Sequence, residues 1–243
     1  MWRVLLLAVL VVVACKPASD DDDFPVVPGG SGPGGTGTLP DAPEADALDF
    51  DALQVIVGRV CLVADLRALT TCAAAGAGGL TVTLGTSSTT TTGNGAFAIM
   101  APSGTNLVWR VTGLNIVKSV MAFGPSNTIP TIDIADYVDL QNANSVTLAV
   151  GEGSIVARIV RNGVAQNGVV ASVSPLAQFP TKYDGITAIA WTELATSTAG
   201  TAWIPGAALG TNAVTATPLT GTAATESVLV EDQAITYATI ELP

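Results

Sequence analysis

The sequence predicts an all-β protein, two small β-sandwiches in tandem behind a short apolar leader and an acidic tether. Three observations carry this expectation. From Gln54 on, apolar and polar residues alternate and are punctuated by Gly, Asn and Pro, as strands joined by turns do. The pattern recurs roughly a hundred residues later, and no segment shows a long, capped 3.6-residue period. A Gly-, Pro- and acid-rich tract separates all of this from the leader.

The leader opens Met1-Trp2-Arg3, with one positive charge, and runs apolar from Val4 to Ala14. A membrane-spanning helix needs about 20 apolar residues. This run is far shorter and matches the apolar region of a secretory signal, about 7–15 residues. Val12-Val13-Ala14-Cys15 has the form of a lipobox, so residues 1–14 resemble a bacterial lipoprotein signal peptide. The resemblance implies that Cys15 becomes the first mature residue and carries acyl chains. Each buried CH₂ contributes roughly 0.8 kcal/mol and stable anchoring takes about two chains, so no spanning helix is needed. The alternatives are an ordinary cleaved signal with a chance cysteine, or an uncleaved core strand. Lys16, rather than an aspartate, follows the cysteine, which implies delivery to the outer membrane. "SDDDD" (Ser19 to Asp23) resembles a short export signal for the cell surface, and equally reads as a solvated acidic spacer.

The chain carries a formal net charge of −11. Nine of its twenty acids lie between Lys16 and Asp51, against a single lysine, so the acidity belongs mainly to the tether. Residues 15–51 are too poor in apolar side chains to offset ordering entropy and are predicted to be disordered. As a flexible coil they span roughly 30 Å. The chain has no basic stripe, so nucleic-acid binding lacks its electrostatic footprint. Of three cysteines, Cys61 and Cys72 are close in sequence, in a chain expected to mature in an oxidising compartment. They are predicted to pair, contributing roughly 2–3 kcal/mol in the chain-entropy model; the alternative is two buried free thiols.

"LTVTL" (Leu80 to Leu84) places Leu80, Val82 and Leu84 on one face. "TTTTGNGAFAI" reads as strand, Gly93-Asn94-Gly95 turn and strand, with Phe97 and Ile99 inward, because Gly and Asn tolerate the positive φ of tight turns. "LVWRVTG" (Leu107 to Gly113) is a further strand, and "IDIADYVDL" (Ile132 to Leu140) fits a helical turn or a strand. A second copy follows. "GSIVARIVRNGVAQNGVVASVSP" repeats strand, turn, glycine, strand; "TSTAGTAWIP" echoes "TTTGNGAFAIMAP"; "TNAVTATP" echoes "TNLVWRVTG". Gly79 then corresponds to Gly168 and Gly95 to Gly200, with an insertion at Leu176 to Ala190. The predicted domains are residues 52–150 and 151–243, sizes that suit two sandwiches better than one barrel.

"VIVGRV", "GGLTVTLG", "TTTTGNGAFAIMAPSG" and "LVWRVTG" together resemble the carboxypeptidase regulatory-like (transthyretin-like) domain, over about Gln54 to Gly113 and, more weakly, Gly153 to Pro218. Two departures are the loop between Cys61 and Cys72 and Ala202 in place of the aromatic at Phe97. The resemblance implies a seven-stranded Greek-key sandwich, without catalytic residues of its own, that serves as an accessory module of secreted and envelope proteins.

The chain has no histidine, which removes His-dependent triads and His metal ligands. No Gly-rich loop opens a helix to cradle a phosphate, and no cofactor is expected. Asp133, Asp136 and Asp139 recur every three residues and could supply oxygens to calcium; a solvated edge explains the spacing equally well. A glycosidase-type carboxylate pair is tied together by no motif. Trp109 reads as core. Phe179, Tyr183 and Trp191 cluster around the insertion and are the candidate contact surface, aromatics being able to stack on sugars. The expectation is a lipid-anchored protein of the bacterial outer membrane with a non-enzymatic structural or protein-binding role, an unidentified envelope protein as partner, and a carbohydrate-binding module as the alternative.

Overall fold

A computed structural model describes residues 54–75, 77–101 and 106–243. The leader, Cys15 and the tether lie outside the described residues. Strands dominate, as the sequence predicts. The first sandwich is built from β1 (Gln54–Val63), β2 (Thr81–Leu84), β3 (Ser87–Thr90), β4 (Ala96–Ala101), β5 (Val108–Thr112), β6 (Lys118–Ala122) and β7 (Thr128–Ile132). One of its sheets has the order β4-β1-β7, with β4 antiparallel and β7 parallel to β1. In the other, β2 lies between β3 and β5, and β5 pairs with β6.

After a helix, α1 (Ile134–Ala143), the plan repeats with β8 (Glu152–Arg161), β9 (Val164–Ala165), β10 (Val169–Ser174), β11 (Lys182–Tyr183), β12 (Thr201–Ala208), β13 (Gly210–Pro218), β14 (Ala224–Val230) and β15 (Ala234–Glu241). Here β12 is antiparallel and β15 parallel to β8, while β10, β13 and β14 form the facing sheet in that order. The correspondence reaches single hydrogen bonds. Val60 N donates to Gly95 O at 2.8 Å, and Ile159 N to Gly200 O at 2.7 Å. Both glycines have positive φ, +84° and +66°. A Cβ at Gly95 would run into the Val60 carbonyl oxygen, and one at Gly200 would meet the Ile159 oxygen. The departure at Ala202 has a steric cause. Phe97 faces Gly58, where a Cβ would strike its ring, whereas Ala202 faces Ala157.

The two sandwiches share a sheet. Ala234 to Tyr237 of β15 pair in parallel with Lys118 to Met121 of β6, making one nine-stranded sheet that crosses residue 150. Each sandwich nevertheless keeps its own core: Val82, Leu84, Phe97, Trp109 and Ile129 in the first, Ile155, Ile159, Ile204, Val214 and Ile240 in the second. A third cluster joins them, with Tyr137, Trp191, Trp203, Ile235 and Tyr237. On β8 the period of two sends Ile155, Ala157 and Ile159 into the second core and Val156 into the joint. Buried on both faces, this strand reads as a nearly unbroken apolar run. On the other side of the joint, Glu231 accepts from Arg110 Nε at 2.6 Å and pairs with Lys118 Nζ at 2.5 Å, tying β5 and β6 to the loop before β15. Burial pushes the Glu231 carboxyl up, but the hydrogen bonds and charges of Lys118 and Arg110 outweigh it and hold the group below the usual carboxylate range.

Candidate contact surface

"IDIADYVDL" spans the end of β7 and the start of α1. Asp133 is the N-cap, its carboxylate accepting from Ala135 N at 2.8 Å. Asp136 follows in the first turn, where the helix dipole favours an anion. Tyr137, Leu140 and Asn144 repeat at helical spacing and are buried, leaving Ile134, Asp136, Val138 and Asp139 exposed. The calcium expectation is corrected by this geometry. Asp133 is committed to the cap, and among the described residues no three acidic or other ligating side chains gather around a metal position. The spacing reflects the helix.

The insertion docks against this helix. Asn144 Nδ2 donates to Leu140 O at 2.8 Å and to Ile189 O at 2.7 Å, and Trp191 N donates to Asn144 Oδ1 at 3.2 Å. A shallow depression of about 60 Å³ results, lined from one side by Asp136, Asp139 and Leu140 and from the other by Ala188 and Ile189. The acidic segment and the insertion therefore form one surface. Its exposed aliphatic side chains are Val138 (41 %), Ile189 (47 %) and, further along the insertion, Ile186 (95 %).

The aromatic trio expected to make contact is corrected. Trp191 is 1 % exposed, with its Nε1 donating to Ala188 O at 2.9 Å and its ring edge-on to Trp203 at 6.2 Å. Tyr183 is buried, its hydroxyl donating to Ala171 O at 3.1 Å and accepting from Ala171 N at 2.9 Å. Phe179 is half-buried and packs against the joint. The reason is architectural, since Trp191 and Phe179 pack into the joint between the two sandwiches and Tyr183 into the core of the second. Trp109 lies in the first core, as expected.

Two further anchors have no motif in the sequence. Asp184 is buried and accepts from Ser197 N and Oγ, Ala199 N and Thr201 N, so its charge is satisfied by the chain leading into β12. Arg67 pairs with Asp65 at 2.7 Å and donates to Gly185 O at 2.6 Å, fastening the loop after β1 to the insertion. Burial raises the Asp65 carboxyl, and the bonds and charge of Arg67 more than reverse this. A Cys61–Cys72 disulfide closes the same loop, as predicted. No family model matches the chain, and no curated protein matches it.

Proposed function

We propose that the chain is a lipid-anchored protein of the bacterial outer membrane, built from tandem domains of the carboxypeptidase regulatory-like type, with a non-enzymatic, structural or protein-binding role. The observation that carries this reading is Val12-Val13-Ala14-Cys15, a lipobox at the end of a short apolar run and ahead of an acidic, Gly- and Pro-rich tract. The absence of histidine and the commitment of Cys61 and Cys72 to a disulfide support a non-enzymatic role, because nucleophile and base pairs usually draw on these residues. The depression between α1 and the insertion, with aliphatic side chains around two carboxylates, supports a protein partner at that surface. The glycan reading lacks its aromatic platform, since Trp191 and Tyr183 pack inward. Labelling cells with palmitate tests the anchor: the chain takes up label and the Cys15→Ala variant does not. Label that persists in the variant contradicts the reading.

A further inference from the structure

β4 is the terminal strand of its sheet, and its outer edge is open. Thr92 N donates to Ala96 O at 2.9 Å from the side away from β1. Alternation along the strand turns the N–H and C=O groups of Ala98 and Met100 to that same side. Among the described residues they meet no partner. On the outward-facing side of this sheet Val55 62 %, Val57 67 % and Met100 52 % are exposed, with Arg59 at the far end beside Ala96, and no charged residue interrupts Ala96 to Ala101.

The equivalent strand of the second sandwich shows how such an edge is filled. There β12 carries β11 as an antiparallel neighbour, Lys182 opposite Trp203 and Tyr183 opposite Ala202. By the repeat, Trp203 stands where Ala98 does and Pro205, which has no N–H, where Met100 does. Parts of the β10 and β7 edges are closed by local devices. The Ala171 groups of β10 are taken by the Tyr183 hydroxyl, those of Val169 by Thr196, and the Ile132 carbonyl of β7 by Val117 N at 3.0 Å. An unguarded, uncharged edge of this length is a template for strand addition.

We propose that the β4 edge is filled by β4 of a second copy of this chain, antiparallel, about a two-fold axis at Ile99. That register sets Ala98 opposite Met100 of the other copy, small against large, and forms four backbone hydrogen bonds. It joins the two three-stranded sheets into one of six strands and continues the Val55–Val57–Met100 face across the junction. Self-pairing suits an uncharged strand, because the symmetry brings no like charges together. The inference concerns a sheet edge and is independent of acylation.

Native mass spectrometry of the full chain released from detergent tests it. At micromolar concentration the chain gives a dimer. Ala98→Glu/Met100→Glu sets glutamates directly opposite each other on a solvent-facing surface and gives a monomer with an unchanged circular dichroism spectrum. Leu219→Glu, at a site 93 % exposed elsewhere, keeps the dimer. A monomeric wild-type chain, or a dimer that survives the double glutamate variant, overturns the proposal. Where the glutamate variant does not fold, oxidation of an Ala98→Cys/Met100→Cys chain decides. A covalent dimer upholds the register, and its absence overturns it.

Discussion

Thr91 and Thr196 occupy equivalent positions in the two sandwiches and make the same hydrogen bonds. Each is buried, and its hydroxyl accepts from an N–H at the start of a strand, Leu80 N just before β2 at 2.9 Å and Val169 N of β10 at 3.0 Å. Each hydroxyl donates to a carbonyl three residues before that N–H, Ala77 O at 2.6 Å and Gln166 O at 2.7 Å. Their backbones add the same pair of bonds, to Gly79 and Leu80 in one case and to Gly168 and Val169 in the other. Thr91→Val and Thr196→Val each strand a buried donor and acceptor and cost about 1–3 kcal/mol. Because they sit in separate cores, the double variant loses the sum within about 0.5 kcal/mol. Urea denaturation measures all three, and a loss confined to one site would break the equivalence.

The Glu231 cluster makes the joint acid-sensitive. A carboxyl held below its ordinary value binds fewer protons folded than unfolded, so its stabilisation is complete above the unfolded value of 4.5 and fades as pH falls through the lower folded one. Glu231→Gln lowers stability by about 1 kcal/mol near neutral pH, a modest cost because Arg110 and Lys118 can rehydrate. Melting curves of the two proteins should converge on acidification. A constant gap down to pH 2 would exclude Glu231 as the source.

All three tyrosines are shifted the same way. Burial is the leading cause in each, pushing Tyr137 up to about 12 and raising Tyr183 and Tyr237 as well. A raised phenol contributes stability that is full below the unfolded value of 10 and is lost as pH climbs through the folded one. Absorbance of tyrosinate should therefore stay low at pH 10 and rise together with the loss of β-sheet signal. Ionisation of even one tyrosine near pH 10 in the folded protein would contradict the burial.

Trp191, just after the insertion, separates core from surface. Trp191→Ala empties the joint beside Trp203 and costs about 3–5 kcal/mol, while Ile186→Ala, five residues away and 95 % exposed, changes stability by about 0.5 kcal/mol or less. Thermal denaturation distinguishes them. Equal effects would return Trp191 to the surface.

The repeat was legible because it depends on residues with few substitutes. Gly79 and Gly168 have φ of +75° and +74°, and Gly95 and Gly200 sit against carbonyl oxygens, so each pair recurs as glycine. The Phe97 and Trp109 core was legible from alternation. The fused sheet was not, since parallel pairing of β6 with β15 joins segments more than a hundred residues apart and leaves no local period. Helix α1 was ambiguous because its buried stripe, Tyr137, Leu140 and Asn144, is brief and ends in a polar residue. The insertion misled for a related reason. Aromatic residues beside Pro, Lys and Asp look exposed in one dimension, but the meeting of the two sandwiches hides Trp191 and the second core takes in Tyr183.

The protein-binding role at the surface of α1 and the insertion is the claim on which the functional account turns. A photo-crosslinking residue placed at Val138 or at Ile189 of the full chain, in intact cells, tests it directly. The account predicts a discrete heavier adduct from both positions and none from Leu219. Adducts that are absent at 138 and 189, or no stronger than at 219, would contradict it.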